Sequence, residues 1–110
     1  MQLETSYIPF PVDNTLLMEQ RYLLRGEVDL ATAPQLRADL DRVVNANRAD
    51  LTIDCANLSF IDSTGIAVIL EARERLENQG RHLRMLNLQS GPRRVLEVLG
   101  LTDLFRYHRA

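Results

Sequence analysis

The chain has 110 residues, 15 acidic and 13 basic side chains and a net charge of −2, and every basic residue is an arginine. This length fits one domain, residues 1–110, with a real core. The balanced charge excludes a nucleic-acid-binding field, and the longest wholly apolar run, Ile66–Leu70, is far too short for a membrane span.

At the N-terminus Ile8, Phe10 and Val12 alternate but are interrupted by Pro9 and Pro11, which predicts an edge strand or a partly ordered arm. Asp13-Asn14 is a turn signal, and Leu16 to Arg25 reads as a strand that forms a β-hairpin with the first; Gly26-Glu27-Val28-Asp29 closes it. Thr32-Ala33-Pro34 predicts a helix start with Thr32 as cap. Leu36, Leu40, Val43 and Val44 then share one helical face. Leu51 to Cys55 alternates as a strand with Leu51, Ile53 and Cys55 inward, and Cys55 reads as a small buried side chain, not a reactive thiol.

A second helix is predicted from Ser63 to Gln79, with Ile66, Ile69, Leu70 and Leu76 toward the sheet, Glu71, Arg73, Glu74, Arg75 and Glu77 solvated, and Gly80 as a left-handed cap. Leu83 to Leu88 is the next strand. Gly91-Pro92 opens a third helix carrying Val95, Leu96 and Leu99, Gly100 ends it, and Leu104-Phe105 adds a short strand. The order β-β-α-β-α-β-α predicts an α/β fold: a mixed central sheet of four to five strands, with helices mainly on one face.

The stretch Leu58 to Gly65 carries the chemistry. Ser63 and Thr64 lie where the chain enters a helix, and unpaired N–H groups and the macrodipole favour negative charge there. A hydroxyl at that point accepts a phosphate without disturbing the fold, so Ser63 is the candidate switch, with Thr64 second. The bland reading makes Ser63 the N-cap and nothing more. Asp62 is a cap or turn residue, Asp29 reads as a solvated turn residue, and Gly65 permits close backbone approach. Of Phe60 and Ile61, alternation sends one inward and the other outward.

Gly26-Glu27-x-Asp29, the helix start at Thr32, Asp62-Ser63-Thr64-Gly65, and Pro92 to Phe105 with Leu99-Gly100-Leu101, occur together in this order. The combination resembles the STAS domain of bacterial anti-sigma factor antagonists, over roughly Leu16 to Tyr107. The resemblance implies a binding protein, not an enzyme. Its unphosphorylated form would bind an anti-sigma factor of serine-kinase type and free a sigma factor; phosphorylation at Ser63 would end binding, and a phosphatase would restore it. It further implies a partner-binding and phosphorylation loop of Asp29, Phe60, Ile61, Asp62, Ser63, Thr64, Gly65 and Ile66. Many relatives continue in a further C-terminal helix where only Arg106 to Ala110 remain here, so exposed apolar surface and a weak homodimer stand beside a monomer as expectations.

No cofactor or metal site is expected: His82 and His108 stand apart from any cysteine or carboxylate pair. There is no kinase or Walker glycine loop, and no G-x-S-x-G elbow or histidine base for Ser63. The location expected is cytoplasmic, without contact to membrane or nucleic acid. The alternative functions are a constitutive STAS subunit of a lipid or solute transport complex, without a phospho-switch, and an enzyme or sensor using Asp62–Gly65 as an anion pocket.

Overall fold

A computed structural model describes residues 7–9, 19–46 and 48–106. Four strands, β1 (Tyr7–Pro9), β2 (Glu19–Val28), β3 (Asp50–Ile61) and β4 (Leu83–Leu86), alternate after the first pair with helices α1 (Ala33–Ala46), α2 (Ser63–Glu77) and α3 (Ser90–Val98). The sheet order is β1-β2-β3-β4. β1 runs antiparallel to β2, as the hairpin reading expects, and β2–β3 and β3–β4 are parallel. Phe10, Val12 and the Asp13-Asn14 turn lie outside the described residues.

Side-chain alternation builds the core. Tyr22, Ile53 and Met85 lie in register across three strands, with Leu51 and Leu83 in the adjacent row. α1 covers this face with Leu36, Leu40, Val43 and Val44, all buried. Two polar contacts tie it to β2: the Tyr22 hydroxyl donates to Asp39 at 3.0 Å and Gln20 Nε2 to the Val43 carbonyl at 3.2 Å. Asp39 is buried but also accepts from Gln35 at 2.8 Å and Arg42 at 2.7 Å, so its charge is paired. α2 packs against α1, burying Val68 and Ala72 besides the expected Ile66, Ile69 and Leu76. The predicted solvated face of α2 is partly engaged: Glu71 pairs with Arg37 at 2.9 Å, Arg73 with Asp103 at 3.1 Å, and Arg75 with Asp41.

The strands run further than the sequence suggests. β2 does not close at Gly26; it continues to Val28, because two register shifts against β3 absorb the glycine, whose φ of 83° suits a bulge. β3 does not stop at Cys55. It continues to Ile61, paired with β2 although Ala56, Asn57, Ser59 and Phe60 are exposed. β4 ends at Leu86, where Asn87 turns with φ 62°. Leu104 and Phe105 form no strand: Thr102–Leu104 is a 3₁₀ turn that inserts Leu104 into the core. Gly80 and Gly100 take the left-handed conformations expected where helices end.

Thr32 does not cap α1 with its side chain. Its hydroxyl accepts from the Asp29 N–H at 3.0 Å and donates to the Glu27 carbonyl at 3.1 Å, closing the β2–α1 turn on itself. Cys55 is buried, and burial followed by the nearby Asp54 charge pushes its thiol up to about 12, so it is inert as a nucleophile.

Candidate functional site

The C-terminal ends of the parallel strands β2 and β3 lie side by side. Val28 pairs with Ile61, and the Asp62 N–H donates to the Val28 carbonyl at 3.0 Å. Two turns therefore emerge together, one carrying Asp29 and the other Asp62-Ser63. The connection into α2 is a single residue, Asp62, and not a longer loop.

Asp62, not Ser63, is the N-cap of α2. Its Oδ1 accepts from the N–H groups of Thr64 at 2.9 Å and Gly65 at 3.2 Å, and from the Thr64 hydroxyl at 2.5 Å. The Thr64 hydroxyl bond, together with the Gly65 and Thr64 N–H groups, holds the carboxyl below the usual carboxylate range, against a smaller opposing effect of lost hydration. These same N–H groups are consequently not free for an anion, which removes the main support for an anion pocket here. Ser63 is the first helical residue and is exposed.

The depressed carboxyl makes a signed expectation. The folded state binds a proton at Asp62 more weakly than the unfolded chain, so the cap stabilises fully above the ordinary carboxylate pKa. That stabilisation is lost as pH falls from that range through the lower folded value. Thermal melts of wild type and Asp62→Asn are expected to differ at neutral pH, with wild type higher, and to converge as the pH falls below the ordinary carboxylate range. A gap independent of pH would show that the carboxylate's charge is not what caps α2.

The sequence-predicted site residues separate into two groups. Ile61, Gly65 and Ile66 are buried. They fix where the α2 start sits: Gly65 lies so close to β2 and β3 that an added Cβ would stand 2.5 Å from Val28 Cγ1 and 2.9 Å from Ile61 Cγ1. Phe60, by contrast, points outward and is 47% exposed. Asp29 stands beside the site with its carboxylate turned into its own turn, accepting from Ala31 N–H at 2.9 Å and Thr32 N–H at 3.2 Å.

α3 supplies a part of this surface that sequence reading missed. Ser63, Gly91, Arg94, Val95, Val98 and Leu99 line one open groove of about 420 Å³. Among the described residues the exposed large apolar side chains are Leu30 at 75%, Phe60 at 47%, Val98 at 76% and Leu99 at 51%. Leu30 follows Asp29, Phe60 precedes Asp62 by two, and Val98 and Leu99 share the groove with Ser63. All four thus surround the same end of the sheet, a pattern typical of a docking face. The signal in the sequence was the spacing of Arg94 and Val98, four apart on a helix whose buried positions are Pro92 and Leu96. Leu99, expected within the third helix, is its C-cap, one residue beyond the end at Val98, and is exposed.

No described helix is long and apolar enough to cross a membrane, and no group of three or more metal-ligating side chains occurs among the described residues. His108 lies outside them.

Comparison with known proteins agrees with this geometry. The STAS domain family model matches residues 21–110. The anti-sigma-B factor antagonist of Bacillus subtilis is 33% identical over 81 residues, 74% of this chain and 73% of its own length. That of Staphylococcus epidermidis is 29% identical over 79 residues, 72% of this chain and 73% of its own length. Among solved structures, an anti-sigma factor antagonist from Mycobacterium paratuberculosis superposes with a TM-score of 0.78 at 20% identity, covering 99% of this chain and 87% of that one. The unphosphorylated antagonist SpoIIAA gives 0.72 at 22% identity, covering 94% and 89%. A fold shared along almost its whole length, and a family match that takes in both turns of the site and α3, have one meaning: this chain belongs to the STAS domain family.

Proposed function

We propose that this protein is an anti-sigma factor antagonist whose binding is switched by phosphorylation at Ser63. The observation that carries the reading is an exposed serine at the first position of α2, sharing an open groove with the exposed apolar side chains of Val98 and Leu99. The unphosphorylated face docks an anti-sigma factor that is a serine kinase, which releases a sigma factor. In the transfer, the Ser63 oxygen bonds the γ-phosphorus of ATP, the bond to the β–γ bridging oxygen breaks, ADP leaves, and the hydroxyl proton passes to a base on the kinase. A phosphatase reverses the modification. The protein acts by binding and not by catalysis, in the cytoplasm, as a monomer or weak homodimer.

The phosphate adds about −1.5 to −2 charges at the edge of the groove that Val95, Val98 and Leu99 line. A like-charged or desolvated contact costs several kcal/mol, and each ~1.4 kcal/mol is tenfold in affinity. Docking therefore weakens by one to two orders of magnitude or more while the fold persists.

The test uses wild type, Ser63→Ala and Ser63→Glu as baits in lysate of the source organism, each first checked for folding. Retained proteins are identified by mass spectrometry, and the eluate is then incubated with ATP. The expected result is a small ATP-binding kinase held by wild type and Ser63→Ala, lost with Ser63→Glu, and able to phosphorylate Ser63 on wild type. If all three baits hold the same transport or assembly proteins and Ser63 stays unmodified, the constitutive reading replaces this one.

A further inference from the structure

The groove beside Ser63 contains a cation without an ion-pair partner among the described residues. α3 carries two consecutive arginines with different surroundings. Arg93 is engaged: its Nε lies 3.4 Å from Glu97 and its guanidinium sits 4.8 Å from the centre of the Phe105 ring. Arg94 is exposed, lines the groove with Ser63, and makes no ion pair or hydrogen bond with another described residue. Between Ser63 and Arg94 the floor is Val95, Val98 and Leu99.

The other surroundings of Ser63 are acidic. Asp62 precedes it, and the adjoining end of β2 brings Asp29 and exposed Glu27. The N-terminus of α2 does not take up a phosphate, because the Thr64 and Gly65 N–H groups already donate to Asp62. A dianion on Ser63 is therefore disfavoured toward the β2 side and faces the positive charge of Arg94 in the groove. An arginine suits it, since its fork donates two parallel bonds to phosphate oxygens.

We propose that Arg94 receives the phosphate of phosphorylated Ser63 within the same molecule, drawing the two side chains together over Val95, Val98 and Leu99. This deepens the reading of Ser63 as the phosphorylated residue and rests on it. Phosphorylation then acts twice: it places charge at the docking face, and it closes the apolar floor that a partner would otherwise cover. Arg94 is a positioning residue here, an internal acceptor of the modification.

The experiment installs phosphoserine at position 63 during translation, so that no kinase or partner is needed. The second ionisation of the phosphate is followed by phosphorus NMR in wild type, Arg94→Ala and Arg94→Lys, at low and high salt. Asp62, Asp29, Glu27 and Arg93 are common to all three, so differences report position 94. Arg94→Ala is expected to raise the apparent phosphate pKa by roughly half a unit, because a nearby cation favours the dianion. Arg94→Lys, which keeps the charge but not the fork, should fall between wild type and Arg94→Ala, and the gap should shrink at 0.5 M salt. Amide signals of Val98 and Leu99 should move on phosphorylation in wild type and far less in Arg94→Ala. Equal phosphate pKa values in all three proteins would overturn the assignment. Failure of the phosphate to weaken partner binding would instead overturn the switch, leaving the Arg94 contact standing on its own.

Discussion

Gly65→Ala is expected to destabilise the protein by about 3 kcal/mol, the upper end for forcing one methyl into a well-packed site. The new Cβ would lie 2.5 Å from Val28 Cγ1, 3.2 Å from Val28 Cβ and 2.9 Å from Ile61 Cγ1. Neither neighbour is the free end of a flexible chain. Val28 and Ile61 are buried, β-branched and paired with each other across β2 and β3, so neither has a second rotamer to retreat into. Relief must come from moving the first turn of α2 away from the sheet, which also displaces Asp62 and Ser63. For a domain of this size the midpoint of thermal unfolding should fall by roughly 12 °C or more. Urea titration of Gly65→Ala, Val28→Ala and the double variant checks the cause. Removing Val28 Cγ1 should recover at least about 1 kcal/mol of the Gly65→Ala loss, a coupling of the size expected for side chains in contact. Strictly additive losses would show that the close approach of Gly65 to Val28 is not the reason a glycine stands there.

Arg81→Ala should bring a loss of similar size at the opposite end of the molecule. Arg81 is only 5% exposed and anchors three chain segments. Its Nε and Nη2 donate to the Ala49 carbonyl at 3.0 and 2.8 Å, and its Nη1 to the Val44 carbonyl at 3.2 Å and to Gln79 at 2.7 Å. It thus closes the last turn of α1 and fixes the entry to β3. Truncation leaves two buried carbonyls without their charged donor, and bonds of this kind contribute about 1.5–3 kcal/mol each. A net loss of about 3 kcal/mol is expected, measured by urea unfolding. Arg81→Lys should restore less than half, since one ammonium cannot reproduce the fork. Because Arg81 meets β3 at its N-terminal end and the proposed docking face lies at its C-terminal end, partner affinity at low temperature should be unchanged. A fall in affinity with stability intact would contradict the structural role.

These two residues also mark the limits of reading the chain. The α1 face, the left-handed stops at Gly80 and Gly100, the buried Cys55 and the α/β order are all local regularities, and sequence periodicity is sufficient for them. The STAS resemblance was legible because several short signals kept their order and spacing. The second half of β3 was not, since Ala56, Asn57, Ser59 and Phe60 face solvent and break the apolar alternation. That half is a strand because β2, some 30 residues earlier, pairs with it. An arginine next to a glycine turn reads as solvated, yet Arg81 closes on carbonyls more than 30 residues away. At the α2 start, Asp62 and Ser63 are both good caps on propensity alone; the extended backbone at Asp62, with φ −107° and ψ −174°, decides between them. The groove was missed for a different reason: it joins Ser63 to α3, a contact with no local trace.

The unequal lengths of β3 and β4 have a consequence for how the molecule keeps its own company. β4 pairs with β3 from Leu51 to Asp54, so among the described residues no strand pairs with residues 55–61 of β3 on that side. Such a border, rich in unsatisfied backbone groups, is an invitation to sheet growth between molecules. α3 stands in the way: the Gln89 side chain at its cap donates to the Ala56 carbonyl at 2.8 Å, and Gly91 approaches the Ser59 carbonyl. The helix that presents Arg94, Val98 and Leu99 outward is therefore, on its inner side, a sentinel against self-association. A partner that levered α3 away to reach the groove would uncover a polymerisation template, so recognition has to work on this helix where it lies.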